Sequence, residues 1–191
     1  MKKLEERILR DGVVKPGGIL KVDSFLNHQI DTQLCYDMAK EICELYKDEE
    51  ITKILTIEAS GISIATMTGF VMGVPVVFAK KAMSKNISDN VYAVEVYSFT
   101  KKATKNVIVS KEYINPGDKI LIVDDFLAMG SALEGLSSIV EQAGAQVVGA
   151  AIVVEKAFQP GGEKLRARGM RIESLARVAS MSDDSLTFVE E

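Results

Sequence analysis

Two adjacent carboxylates stand at the end of an apolar run in ILIVDDFLAMGSA, residues 120–132. Asp124 and Asp125 follow four apolar residues, and the stretch after them is rich in small residues around Gly130. A helix that begins just after Gly130 would leave its first backbone N–H groups without partners, and such a helix start binds anions. The residues small enough to let a phosphate approach this backbone are Ala128, Gly130, Ser131 and Ala132.

The acidic pair suits a sugar better than a phosphate. Carboxylate oxygens repel a phosphate anion, but they accept hydrogen bonds from a pair of vicinal hydroxyls. The 5′-phosphate of the same sugar would lie one turn further along the chain, at the helix start, where the Ser131 hydroxyl can add a hydrogen bond. The stretch therefore predicts a site for a ribose 5-phosphate.

Two other interpretations of the acidic pair remain open on these residues alone. Asp124 and Asp125 could cap or solvate the end of a strand. They could also hold a metal ion, as an acidic residue does in many nucleotide-binding proteins. The sequence contains neither G-x-x-x-x-G-K-[ST] nor G-x-G-x-x-G, the motifs that usually accompany such a metal site.

The elements that would position this stretch form two βαβ units. KILTIE (53–58) and VPVVFAK (74–80) have the composition of strands, and residues 61–73 between them that of a helix. The second unit consists of a strand at 119–125, a helix at 131–143 ended by Gly144, and a strand at 146–156. Before both units, Asp31 and Thr32 open an amphipathic helix that we predict over residues 32–49.

The continuous valine and isoleucine runs predict an α/β fold, with a central, mostly parallel sheet flanked by helices on both faces. Ligands of such sheets bind beyond the carboxyl ends of the strands. Three strands end on charged residues at that edge, namely Glu58, the acidic pair, and Glu155 with Lys156.

The remaining segments predict one domain with two additions to its core at 32–156. Residues 82–105 read as a polar loop leading into a projecting β-hairpin, and a connection of this length is typical of a lid that closes over a site. The chain ends, 1–31 and 157–191, are expected to form a small cap over the sheet.

Composition excludes several classes of function. The 191 residues carry a formal net charge of −4, which argues against nucleic acid as the main partner. No apolar run is long enough to span a membrane, and the charged N-terminus does not resemble a signal peptide, so we expect a cytoplasmic protein. His28 is the only histidine, and Cys35 and Cys43 have no metal-site spacing, so no metal ligands are predicted.

Several stretches resemble, in the same order along nearly the whole chain, the type I phosphoribosyltransferases, and among them the branch that acts on xanthine. This family binds 5-phosphoribosyl 1-pyrophosphate, and its signature is an apolar run, two acidic residues and a small-residue turn. The other matching stretches are GGILKVDSFLNHQID (17–31), TIEASGI (56–62), VPVVFAKK (74–81), VYSFTK (96–101) and VVEKAFQPGGEKL (153–165).

The resemblance implies a role for each matching position. Asp124 and Asp125 would contact the ribose hydroxyls as the catalytic pair, and Ala128, Met129, Gly130, Ser131 and Ala132 would hold the 5′-phosphate. Ser60, Gly61 and Lys81 would bind the pyrophosphate. Leu20 through its backbone, Asn27 and Lys156 would bind the purine base. Met129 departs from the pattern, because many relatives carry threonine there and methionine cannot donate a side-chain hydrogen bond.

The implied reaction is purine salvage, in which xanthine and 5-phosphoribosyl 1-pyrophosphate give xanthosine 5′-monophosphate and pyrophosphate. Mg²⁺ would be held by pyrophosphate and ribose oxygens rather than by dedicated protein ligands, and a homodimer is expected. Hypoxanthine or guanine remains open as the preferred base, since both share the 6-oxo group of xanthine. A regulator that senses the activated sugar without turning it over is the alternative from another class.

Overall fold

Among the residues that the structure describes, one mixed sheet of eight strands, with five parallel strands at its centre, carries the fold. The computed structural model describes residues 1–82, 90–98 and 103–190. The strands lie in the order β10-β9-β8-β7-β3-β4-β6-β5, of which β9 to β4 are parallel, and β1 and β2 form a separate hairpin.

In chain order, the elements are α1 (Lys2–Asp11), β1 (Val13–Lys15), β2 (Ile19–Lys21), a π-helical turn (Asp23–Asn27), α2 (Thr32–Leu45), β3 (Lys53–Ile57), α3 (Gly61–Met72), β4 (Val76–Ala82), β5 (Val91–Ser98), β6 (Ala103–Ser110), β7 (Lys119–Leu127), α4 (Ser131–Gln142), β8 (Gln146–Lys156), α5 (Gly161–Ala167), β9 (Ile172–Met181) and β10 (Leu186–Phe188). The predicted α/β fold with a mostly parallel, helix-flanked sheet is confirmed.

Both faces of the sheet are covered, as the continuous apolar strands predict. Successive residues of β7 point to opposite faces, so Leu121 and Val123 pack in the core under α1, α2 and α3. Ile120 and Ile122 pack in the second core, under α4 and α5. The strand therefore needs apolar residues at every position rather than at alternate ones.

The predicted helix over 32–49 begins where expected and ends early. The Asp31 carboxylate caps α2 by accepting a hydrogen bond from the Leu34 N–H at 3.0 Å. The helix ends at Leu45 because Tyr46 turns into the core, where its hydroxyl donates to the Ala150 carbonyl at 2.9 Å.

Two predicted strands are displaced at their ends. The strand expected at 74–80 runs over Val76–Ala82, because the Val74 N–H donates to Gly69 at the end of α3 instead. The strand expected at 119–125 continues to Leu127. The acidic pair therefore lies within β7 rather than at its last residues.

The hairpin expected to project from the sheet is part of it. β6 pairs antiparallel with β4, with Lys81 opposite Val107, and β5 pairs with β6. Apolar side chains of β5, among them Val94 and Val96, pack against the core under α4, and the Gln142 amide donates to the Ala93 carbonyl at 3.2 Å. The rest of the predicted lid, residues 83–89 and 99–102, lies outside the described residues.

The expectation that residues 157–191 form only a cap is wrong. β9 is a ten-residue strand of the main sheet, paired in parallel with β8. Its polar residues obscured this in the sequence, because Glu173 and Arg177 face charged partners rather than apolar ones. Within the described residues, no helix has the length and apolar character needed to cross a membrane.

Candidate active site

Two adjoining cavities open at the carboxyl end of the sheet, and Asp124 lines both. The first has a volume of about 230 Å³ and the second of about 150 Å³. Ala132 and Tyr97 are the other residues common to both. The remaining residues of the first cavity include Glu58, Ala59, Ser60, Lys81, Lys105 and Asp125, and those of the second include Phe126, Ala128, Met129, Gly130 and Ser131.

Asp124 is buried and Asp125 half-buried, and two like charges side by side are electrostatically unfavourable. Asp124 is 7% exposed, and its Oδ1 accepts a hydrogen bond from the Asp125 backbone N–H at 3.0 Å. Burial raises the pKa of Asp124 well above its usual range, and the neighbouring charge of Asp125 raises it further, while Lys81 opposes this. Burial likewise raises the pKa of Asp125. Such a pair is typical of a functional site rather than of a solvated strand end.

Residues Ala128–Ala132, here called the phosphate loop, join β7 to the start of α4. Gly130 has φ of +89°, a left-handed conformation that glycine adopts without strain. Because glycine has no side chain, Gly130 leaves the first amides of α4 without a side-chain cap at the positive end of the helix dipole, an arrangement that favours an anion. Met129 lines the cavity and supplies no side-chain donor.

The turn between β3 and α3 and the end of β4 form the wall of the first cavity. The Glu58–Ala59 peptide is cis. The Glu58 carboxylate accepts a hydrogen bond from the Lys81 backbone N–H at 2.6 Å, and the Lys81 ammonium donates to the Glu58 carbonyl. Lys81 and Ser60 line the cavity together, so this wall offers a cation and a helix start to an anion.

Gly61 lies behind this wall, where only glycine fits. A Cβ atom at Gly61 would lie 2.3 Å from the Thr56 hydroxyl and 2.6 Å from Asp124 Oδ1. The start of α3 is therefore packed directly onto Asp124. This contact links the turn that begins α3 to the carboxylates on β7.

None of the three predicted base-binding residues lines the two cavities, although Lys156 and Asn27 lie near residues that do. The Lys156 ammonium donates to the Gly18 carbonyl at 2.8 Å and lies 5.8 Å from the centre of the Phe126 ring. Burial lowers the pKa of Lys156. The Asn27 side chain lies close enough to Asp125 to act against the raised pKa of that carboxyl, and the Asn27 Oδ1 is buried without a partner. Leu20 lies on β2, with its side chain in the core.

Tyr97, Lys105 and Phe126 line the cavities, and the sequence did not single them out. Lys105 and Val107 are two residues apart on β6, and Val107 is opposite Lys81, so the register of β4 with β6 places both lysines on one face. The sequence shows apolar and polar residues alternating along β5 and β6, but it does not show that β6 pairs with β4. Phe126 could have been found from its position, because it is an aromatic residue directly after the acidic pair.

A family model described as "Phosphoribosyl transferase domain" matches residues 21–170 of this chain. Among curated proteins, the chain is 52% identical to a xanthine phosphoribosyltransferase of Limosilactobacillus reuteri over 191 residues, all of both chains. It is 56% identical over 188 residues to a xanthine phosphoribosyltransferase of Finegoldia magna, covering 98% of this chain and 99% of that one.

Solved structures with the same fold include adenine phosphoribosyltransferases. The enzyme of Thermoanaerobacter pseudethanolicus superposes with a TM-score of 0.74 at 21% identity, over 91% of this chain and 99% of that chain. The enzyme of Trypanosoma brucei, in complex with AMP, pyrophosphate and ribose-5-phosphate, superposes with a TM-score of 0.76 at 17% identity, over 91% of this chain and 79% of that chain. At this identity the likeness concerns the fold alone.

Proposed function

Because this chain belongs to the phosphoribosyltransferase family, we propose that it transfers the phosphoribosyl group of 5-phosphoribosyl 1-pyrophosphate to xanthine, giving xanthosine 5′-monophosphate and pyrophosphate. The position of Asp124, which lines both cavities, is the observation that carries the proposal. A sugar held there can extend its 5′-phosphate into one cavity and its pyrophosphate into the other. The chain is thus a pentosyl-transferring enzyme of purine salvage.

The two ends of the sugar substrate would meet different kinds of donor. The phosphate loop would bind the 5′-phosphate through the free amides at the start of α4. Ser60, Gly61 and Lys81 would bind the pyrophosphate, and Lys105 adds a second cation to the same cavity. Asp124 and Asp125 would accept hydrogen bonds from the two ribose hydroxyls between these ends.

The reaction is a displacement at the anomeric carbon. A purine ring nitrogen gives up its proton to solvent and forms the new C–N bond, and the C–O bond to pyrophosphate breaks with its electron pair leaving on the pyrophosphate. Positive charge develops on the sugar as the leaving group departs, so the adjacent carboxylates stabilise the transition state, and the lysines stabilise the leaving group. Holding base and sugar in line supplies most of the remaining acceleration.

Xanthine is supported as the base by the names of the full-length relatives and by Lys156. Xanthine presents carbonyl oxygens at positions 2 and 6, and the Lys156 ammonium keeps two N–H groups beyond the one donated to Gly18. Asn27 and the backbone of Leu20 would add directional hydrogen bonds. Adenine fits poorly, because its 6-amino group is itself a donor.

Mg²⁺ fits this site as a partner of the substrate. In the ranges 1–82, 90–98 and 103–190, no group of three or more His, Cys, Asp or Glu side chains could hold a metal ion. Mg²⁺ keeps several waters and binds mainly through substrate phosphate oxygens, so a site without a dedicated cluster of protein ligands suits it, and the acidic pair stays with the ribose hydroxyls. When bound through pyrophosphate and ribose oxygens, Mg²⁺ would neutralise charge on the leaving group.

We further propose that the enzyme is a cytoplasmic homodimer. Two observations are compatible with this proposal: Cys35 and Cys43 are free thiols on α2, and large apolar side chains, among them Phe70 and Phe78, are exposed.

The assay that tests this function offers the protein four bases. With 5-phosphoribosyl 1-pyrophosphate and Mg²⁺ present, xanthine, guanine, hypoxanthine and adenine are supplied separately, and nucleotide formation is measured. We expect product from xanthine at a rate well above the other three. Preference for guanine or hypoxanthine would contradict the assigned base, and no product from any base would favour a sensor of the activated sugar.

Lys81 and Lys80 provide a matched test of the pyrophosphate contact. They are neighbours on β4 and point to opposite faces, so Lys81 lines the first cavity while Lys80 lies against Phe78 in a separate groove. Lys81→Ala should raise the KM for 5-phosphoribosyl 1-pyrophosphate about tenfold, the value of one charge-assisted hydrogen bond. Lys80→Ala should leave it unchanged. Steady-state kinetics with both variants would contradict the assignment if their KM values were equal.

A further inference from the structure

Glu155 is a buried carboxylate directly before the base-site lysine. It is 2% exposed, and both of its oxygens accept hydrogen bonds. Arg166 binds it through two nitrogens, at 2.6 and 2.8 Å, the Ser174 hydroxyl donates at 2.6 Å, and Arg177 Nε donates at 3.2 Å. Burial alone would raise the pKa of Glu155, but Arg166 and Ser174 hold it below its usual value, so the group is charged.

The bidentate pair fastens α5 to the end of β8. Arg166 lies on α5 and also donates to the Ile172 carbonyl at 3.2 Å. At the other end of the helix, a Cβ atom on Gly162 would lie 2.2 Å from Glu155 Oε1. The carboxylate thus contacts the first turn of α5 as well as its last turn, and the helix has little freedom to shift.

The first turn of α5 supports the phosphate loop backbone to backbone. The Gly161 N–H donates to the Ala128 carbonyl at 3.1 Å. A Cβ atom on Gly161 would lie 2.3 Å from that carbonyl oxygen and 2.6 Å from the Gly130 nitrogen. The loop therefore rests on a helix end that has no side chains to separate them.

From these contacts we infer that Glu155 is a positioning residue: its ion pair with Arg166 holds α5 against the phosphate loop, so that the loop amides stay directed at the 5′-phosphate. The inference rests on the proposed function, since it assumes that the loop binds a sugar phosphate. Glu155 itself touches no substrate in this arrangement. A loop that binds a phosphate through backbone amides alone depends on such support, because a shift of the loop by about 1 Å is enough to cost much of the binding energy.

The variants that test this inference act at two places. Gly161→Ala forces the helix away from the loop without changing any charge. Glu155→Gln keeps the shape of the side chain and removes the charge that binds Arg166, and Arg166→Gln removes the other partner. Each should weaken the binding of ribose 5-phosphate about tenfold or more, because each releases the same support.

Asp118→Asn is the matched control. The Asp118 carboxylate also accepts from several donors, namely Lys53 Nζ at 2.8 Å, the Asn115 N–H at 2.8 Å and the Thr52 hydroxyl at 3.3 Å. It lies before the amino end of β7, at the opposite end of the strand from the acidic pair. This variant should lower the Tm but leave the affinity for ribose 5-phosphate within about twofold of wild type, a change well below the tenfold loss expected of the support variants.

The measurement is the Kd of ribose 5-phosphate by isothermal titration calorimetry, with the Tm of each variant recorded alongside. If the wild type binds and Glu155→Gln binds equally well, the positioning role is overturned while the phosphate site stands. Should Glu155→Gln not fold, Arg166→Gln decides by the same criterion. If the wild type does not bind ribose 5-phosphate at all, the proposed site itself is wrong. A lower Tm with an unchanged Kd would mean a purely structural ion pair.

Discussion

Asp124→Asn is expected to lower kcat/KM for 5-phosphoribosyl 1-pyrophosphate at least about 100-fold, the usual loss when one electrostatic contact to a transition state is removed. Asparagine keeps the shape of the side chain and one acceptor oxygen, but it has no charge to stabilise the positive sugar. The effect should fall mainly on kcat, because the interaction strengthens as the leaving group departs. Initial rates with saturating xanthine measure it.

The same substitution should not destabilise the protein at neutral pH. Burial and Asp125 place the pKa of Asp124 in the folded protein above its value in the unfolded chain. Between these two pKa values the folded state binds more protons than the unfolded state, so the stability of the wild type falls as the pH rises through this range. The asparagine of the Asp124→Asn variant does not titrate, so the Tm of this variant relative to wild type should rise as the pH rises.

Asp118→Asn again serves as the control, because the sign of its pKa shift is opposite. Partial burial would raise the pKa of Asp118, but hydrogen bonds from Lys53 and the Asn115 N–H hold it below its usual value. Asp118→Asn should therefore lower the Tm at neutral pH and keep activity. Parallel loss of Tm and activity in Asp124→Asn would contradict the role assigned to Asp124.

Lys156→Ala is expected to raise the KM for xanthine about 30- to 100-fold and to leave the Kd of 5-phosphoribosyl 1-pyrophosphate nearly unchanged. Removing a half-buried cation from a purine oxygen costs a charge-assisted hydrogen bond and leaves the oxygen unpaired. Lys156→Met is the control for packing, because methionine keeps an apolar stem against Phe126 and lacks the charge. Lys156→Met should raise the KM for xanthine as much as Lys156→Ala does.

The outcome that would contradict the base site is an equal loss for both substrates. Lys156 lies directly after Glu155, so damage to the end of β8 would disturb the phosphate loop as well. Affinity for each ligand, measured separately by calorimetry or by competition, distinguishes the two cases. Recovery of xanthine binding in Lys156→Met would mean that the stem rather than the charge binds the base.

The sequence predicted the central part of the site because local chemistry determines it. An apolar run, two carboxylates and Gly130 specify a buried strand, its end and a bare helix start within thirteen residues. The parallel sheet then brings Ser60 and Lys81 to the same edge, since βαβ units have a fixed direction. These residues line the two adjoining cavities.

What the sequence did not predict depends on contacts between distant segments. Lys105 reaches the cavity only because β6 pairs with β4 in one register, and no local pattern sets that register. The sequence pattern places Glu155 at a charged strand end. It does not show that Glu155 pairs with Arg166 and Arg177, because these residues belong to later elements. The strand β9 was missed for the same reason, because its charged residues are satisfied by partners that the sequence does not reveal.

A crystal structure of the protein with bound xanthosine 5′-monophosphate would show whether the acidic pair holds the ribose. We expect the ribose hydroxyls within about 2.7 to 3.2 Å of the Asp124 and Asp125 carboxylates, the length of a hydrogen bond, and the 5′-phosphate on the amides of residues 128–132. A ribose bound elsewhere, or an acidic pair turned away from the nucleotide to pair with a protein cation, would contradict this expectation.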